Sequence, residues 1–169
     1  AQKLLEEGAA YIKESCGLSE REEESASATL KIVEDFYYNE APLKPGVREY
    51  LDRLRTENIP MVIATSSGRP HVEAALRRLG VLDYFGKIFT CSEVGAGKTK
   101  PLIYERAGAY IGGDFREIAV FEDAIHALET AKQAGFYTVA VYDPSAGKDW
   151  DRLKKEADVA VTDMRQLMI

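Results

Sequence analysis

Cysteine, histidine and tryptophan are scarce in this sequence: two, two and one respectively. Cys16 and Cys91 stand in unrelated contexts with no metal-ligand spacing, which argues against a sulfur metal centre and favours free thiols in a reducing, cytoplasmic setting. No apolar run approaches the roughly 20 residues of a transmembrane helix, and no charged-then-apolar targeting segment is read, so no membrane partner is expected. A surplus of Lys and Arg is also missing. With 22 basic and 28 acidic residues the net charge is −6, which argues against a nucleic-acid surface. A small phosphorylated substrate stays open, because local cations and a metal can offset global charge. No internal repeat and no low-complexity segment breaks the chain.

What is present suffices for one α/β domain with a small appendage: 169 residues, 46% of them hydrophobic. Residues 1–40 read as helical, an incomplete accessory element. Leu5, Ala9 and Ile12 recur at helical spacing before Gly17, and Ser19–Glu22 forms a capping box. Ala26, Leu30, Val33 and Tyr37 then make an apolar stripe, and Phe36-Tyr37-Tyr38 reads as packing. The linker over 39–45 leads into a core over residues 41–169, where Gly46 opens a helix with Val47, Tyr50, Leu51 and Leu54 inward.

From there apolar strands and helices alternate. Strands are expected at Pro60–Thr65, Lys87–Thr90, Glu117–Phe121, Tyr137–Tyr142 and Asp158–Val161. Helices are expected at Pro70–Leu79, from Pro101 to about Ile111, from the acidic pair to Ala134, and through Trp150 and Leu153. Cys91–Lys100 reads as a loop. Helices of this length between strands imply a parallel sheet.

Three strand ends carry chemistry, since ligands of such sheets sit beyond the carboxyl ends of the strands. Thr65-Ser66-Ser67-Gly68-Arg69-Pro70 offers hydroxyls and backbone N–H groups to an anion, or a plain helix cap. Lys98 lies in a glycine-rich loop; Gly95-Ala-Gly-Lys-Thr99 fails as a P-loop because position 92 is Ser. Alone it would be a solvated lysine. Glu122-Asp123 closes the third strand and suits a hard cation such as Mg²⁺, or caps the helix behind it. Arg69 and His126 are candidate substrate contacts, His71 a weaker one, and Asp143 reads as a turn residue before Pro144.

Taken in order, these motifs resemble the haloacid dehalogenase-like hydrolases, in particular the phosphatase and phosphoglucomutase branch with a small helical cap. The matching segments are Val62-Ile-Ala-Thr65-Ser66, then Lys98 with Pro101 and Tyr104, then Phe121-Glu122-Asp123 through Ala134-Gly135. The linker Pro42-Leu-Lys-Pro-Gly-Val47 also looks like the family's return from cap to core. The resemblance implies a Rossmann-like parallel sheet flanked by helices, with a partial helical cap at the N-terminus. It implies Mg²⁺-dependent hydrolysis of a small phosphorylated metabolite through an aspartyl phosphate, with phosphosugar mutase and noncatalytic phosphate-binding relic as alternatives. Thr65, Ser66 and Lys98 would hold the phosphoryl group, and Asp123 with Glu122 the metal; Lys100 is the less favoured lysine.

One part of the pattern is missing. The family's strand ending Asp-x-Asp, which carries the nucleophile, should lie centrally, between the strands ending at Thr65 and Glu122. No such strand is read here, so the expectation is an upstream segment supplying it.

Overall fold

The computed structural model describes Lys31, Ile32 and residues 34–168. The helices expected over 1–30 lie outside the described residues, as does Val33 of the apolar stripe. In chain order the elements are a π-helical turn (Phe36–Glu40), α1 (Val47–Thr56), β1 (Val62–Thr65), α2 (Arg69–Arg78), β2 (Lys87–Thr90) and α3 (Cys91–Val94). There follow α4 (Leu102–Ile111), β3 (Ala119–Glu122), α5 (Ile125–Gln133), β4 (Tyr137–Val141), α6 (Trp150–Glu156) and β5 (Val159–Val161). Short 3₁₀ turns join several of these, among them Pro144–Asp149 and Met164–Leu167.

The chain divides into two compact units, Ala1–Pro42 with Ser67–Leu82, and Leu43–Ser66 with Asp83–Ile169. In the smaller unit α2 buries Val72 and Ala75, and Val81 closes the segment with no exposed surface. Tyr37 Oη is hydrogen-bonded to Ser67 Oγ at 2.9 Å, and His71 Nε2 to Glu34 Oε1 at 3.0 Å. Arg78 donates to the Ala41 carbonyl at 2.6 Å. Phe36 and Tyr38 remain exposed, so among the three aromatics the expected packing falls to Tyr37.

The larger unit is α/β, with parallel strands flanked by helices. Alternating apolar runs and helices of ten residues or fewer give parallel pairs throughout, because each crossover carries the chain back to the end of the sheet where the previous strand began. The strands form two sheets, β1-β2 and β3-β4-β5. Among the described residues β1 therefore has one strand neighbour, β2, and β3 has one, β4. Side chains join the two sheets. Phe89, Ile103, Tyr104, Ala107, Ala131 and Phe136 form one buried cluster, against which Val62 and Ala64 of β1 and Val120 of β3 pack. Phe115 and Phe136 stack within it, ring centroids 4.4 Å apart. A second cluster, Val139, Val141, Val161 and Met164, receives Val47 and Tyr50 of α1, as the apolar stripe of that helix predicts.

Element boundaries shift modestly. Strand β3 begins two residues later than expected and ends one later, so Glu122 belongs to the strand and pairs in register with Ala140. The expected loop over 91–100 opens with the short helix α3, capped by the Thr90 hydroxyl accepting from the Glu93 amide. Thr90 keeps the extended backbone of β2, which is the conformation of an N-cap residue, so the strand end serves as the cap. Gly46 precedes α1 at φ 72°, and a Cβ there would stand 2.2 Å from Asp163 Oδ1 and 2.7 Å from the Arg165 nitrogen. Only glycine fits that approach.

Candidate active site

The carboxyl ends of the strands carry the polar residues. Lys98 leaves the glycine-rich loop after α3 and donates to Glu122 Oε1 at 2.5 Å. Its side chain keeps 17% exposure and that of Glu122 only 7%. This is not a solvated loop lysine. The Tyr104 hydroxyl, buried on α4, donates to the same Glu122 oxygen at 2.9 Å. Burial, and then the negative charge of Glu122, hold the Tyr104 phenol far above its usual range, so it stays a donor. A buried carboxylate is tolerable only with such partners.

Asp123 follows β3. The helix behind it begins at Ile125, with Ala124 in the cap position and no side-chain cap hydrogen bond. The capping role open to the acidic pair is therefore not used. Instead Asp123 Oδ2 lies 3.3 Å from the ammonium of Lys44, which also pairs with Asp143 Oδ2. Asp143 keeps the turn role expected of it as well: its Oδ1 accepts from the Ser145 amide at 2.8 Å and the Ser145 hydroxyl at 2.5 Å. Lys44, foremost, and then Ser145 hold the Asp143 carboxyl at about 2.

At the other sheet Thr65 ends β1 opposite Thr90, and Ser66 follows it, exposed, with its Oγ 3.5 Å from Cys91 Sγ. Arg69 belongs to the smaller unit, where it pairs with Glu73 at 3.3 Å along α2. His71 of that unit is taken by Glu34. His126 is exposed on the first turn of α5, and Lys100 is exposed as well. The chain's Asp-x-Asp, Asp149-Trp150-Asp151, sits at the start of α6 rather than at a strand end, and Asp151 pairs with Lys154 at 2.8 Å.

The donor set at β3 fits a hard divalent cation in part. Asp123 offers carboxylate oxygen, and the Lys44 ammonium beside it shows that the position attracts positive charge. Glu122 Oε1 is committed to Lys98 and Tyr104, and among the described residues no group of three ligand side chains exists. A metal held here would draw its remaining ligands from elsewhere. Lys44 and the Tyr104 hydroxyl are the site residues that sequence reasoning did not single out. Lys44 stands in the segment Pro42–Val47 and Tyr104 follows Lys98 and Pro101, but neither spacing nor residue type announces a pair formed across the fold.

A family model described as haloacid dehalogenase-like hydrolase matches residues 3–135. The chain belongs to the haloacid dehalogenase-like hydrolases. Validoxylamine A 7'-phosphate phosphatase of Streptomyces hygroscopicus subsp. limoneus is 31% identical over 122 residues, covering 72% of this chain and 55% of that protein. Beta-phosphoglucomutase of Bacillus subtilis (strain 168) is 33% identical over 99 residues, 59% of this chain and 43% of that one. The chain thus spans about half the length of the curated relatives it matches. Among solved structures, a haloacid dehalogenase-like family hydrolase from Deinococcus radiodurans R1, with bound phosphate and sodium, superposes with a TM-score of 0.74. It is 21% identical and covers 94% of this chain and 71% of that one. The beta-phosphoglucomutase from Clostridium difficile gives 0.67 at 20% identity, covering 96% and 72%. These last two likenesses establish the haloacid dehalogenase-like fold.

Proposed function

We propose that this chain is part of a Mg²⁺-dependent phosphomonoester hydrolase acting on a small phosphorylated metabolite, with a helical cap formed by residues 1–40. The observation that carries the reading is the Lys98–Glu122 pair at the carboxyl end of β3, next to Asp123. It sets one ammonium and two carboxylates where a phosphoryl group and its cation would sit. Membership of a hydrolase family supports it, as do relatives named as phosphatases.

In this reading Thr65 and the Ser66 amide bind the transferring oxygens, and Lys98 neutralises the phosphate and the attacking carboxylate together. Asp123, supported by Glu122, holds the cation, whose bound charge would offset that developing on the phosphoryl oxygens. His126 is a substrate contact. The nucleophile is an aspartate on a strand outside this chain, giving an aspartyl phosphate that water hydrolyses. Among the described residues β1 and β3 each have one strand neighbour, and this, with the greater length of the relatives, supports such a strand between them. Beta-phosphoglucomutase among the relatives favours one second reading, a phosphosugar mutase that shields the phosphoenzyme from water.

The test is phosphate release from a panel of sugar and other small phosphomonoesters by the native polypeptide, whose intact mass is first compared with 18.8 kDa. Release that requires Mg²⁺ and is abolished in Lys98→Ala and Asp123→Asn is expected. Phosphoryl transfer between sugar positions without release would select the mutase. Turnover untouched by chelator or by either substitution would overturn the proposal.

A further inference from the structure

Asp123 and Asp143 follow neighbouring parallel strands, β3 and β4, and their carboxylates face one ammonium. The two acids are held differently. Asp143 is anchored from both sides, by Lys44 on Oδ2 and by Ser145 on Oδ1. Among the described residues Asp123 has Lys44 as its only ion-pair partner. The backbone that presents Lys44 is fixed. Its carbonyl accepts from the Val47 amide at 3.2 Å, and the next carbonyl, of Pro45, accepts from the Met164 amide at 2.9 Å. Gly46, crowded against Asp163 and Arg165, locks the turn that follows. The fixed backbone sets where the Lys44 side chain starts, and from there its ammonium reaches the end of β3.

We propose that Lys44 is a tethered counter-cation for Asp123. It neutralises Asp123 while no divalent ion is bound, and surrenders it while remaining on Asp143 when one binds. The inference rests on the reading of Asp123 as a metal ligand. A divalent ion on Asp123 would repel the ammonium beside it, which favours the exchange. Asp143 is the acceptor that makes the exchange inexpensive: Lys44 shifts its weight between two oxygens instead of entering water unpaired. Lys44 is accordingly a positioning residue, and it sets how tightly the ion is held.

The experiment is calorimetric titration of Mg²⁺ into the full chain without substrate. Lys44→Met should tighten binding on the order of threefold to fivefold, the worth of one partly exposed pair. Asp143→Asn should weaken it, since Lys44 then has Asp123 alone. In the Lys44→Met background the Asp143→Asn effect should largely vanish, which simple removal of charge would not produce. Asp123→Asn should abolish binding in every background. Unchanged or weaker binding in Lys44→Met, with Asp123→Asn still abolishing it, overturns the tethered cation and leaves the metal reading standing. Additive effects in the double variant overturn it as well. Binding that survives Asp123→Asn defeats the metal reading itself, and the inference with it. Lys44→Gln, checked for native circular dichroism, replaces the methionine variant if that does not fold.

Discussion

Lys98 and Tyr104 meet on a single oxygen of Glu122, at 2.5 and 2.9 Å, one approaching from a loop and the other from a helix. The carboxylate they share is almost fully buried. Its two partners are of unequal worth. Lys98→Met leaves a buried charge with one neutral donor and should cost about 3–5 kcal/mol. Tyr104→Phe removes one hydrogen bond to a charged acceptor and should cost about 1.5–3 kcal/mol. Urea denaturation of both variants checks the order; a tyrosine variant weaker than the lysine variant would contradict it.

Gly46 is the backbone position with least tolerance. Alanine there would have to hold φ 72° with its methyl inside the space of Asp163 and Arg165. A loss of about 2 kcal/mol or more is expected. Thermal melting is the check, and an unchanged midpoint would mean that the Met164–Leu167 turn yields.

Acid should weaken the fold through particular carboxylates. Asp143 is lowered to about 2 by Lys44 and then Ser145, and Asp158 is lowered by the Thr138 amide and then its hydroxyl. A carboxyl depressed in the folded state contributes stability that is complete above its unfolded value, near 3.9. That contribution is lost as pH falls toward the folded value. Denaturant unfolding between pH 6 and pH 2.5 should therefore show stability falling below about pH 4. Asp143→Asn should flatten that slope. An equal slope in the variant would remove Asp143 from the account.

Asp158 has a second duty, as acceptor for both the amide and the hydroxyl of Thr138, at 2.7 and 2.8 Å. Thr138 itself has no exposed surface, so both of its donors depend on Asp158. Asp158→Ala should cost about 1–3 kcal/mol. Amide exchange at Thr138, read by NMR, should speed up in step; protection retained there would argue for another acceptor.

The order of strands and helices was legible because apolar runs of four or five residues alternate with helical spacing, and residues such as Gly135, at φ 92°, mark where helices stop. The Lys98–Glu122 pair was legible as two motifs converging on one rim. Lys44 was not. Its partner Asp143 is 99 positions away, and no local pattern encodes a contact of that range. The α3 helix was missed because four residues carry too little periodicity to distinguish from a loop. Arg69 and His71 were read by their nearness in sequence to Thr65, and their pairs with Glu73 and Glu34 were not legible there.

Sheets transmit load through their ladders of backbone hydrogen bonds. Between β1 and β3 no such ladder runs among the described residues, and Val62, Ala64 and Val120 meet only through the shared core. Side-chain packing resists compression well and sliding poorly. Among the described residues the ladder of the larger unit is thus interrupted along one seam, between the strand ending in Thr65 and the strand ending in Glu122, where the proposed nucleophile strand would pair. Whatever stiffens that seam stiffens both halves of the candidate site together.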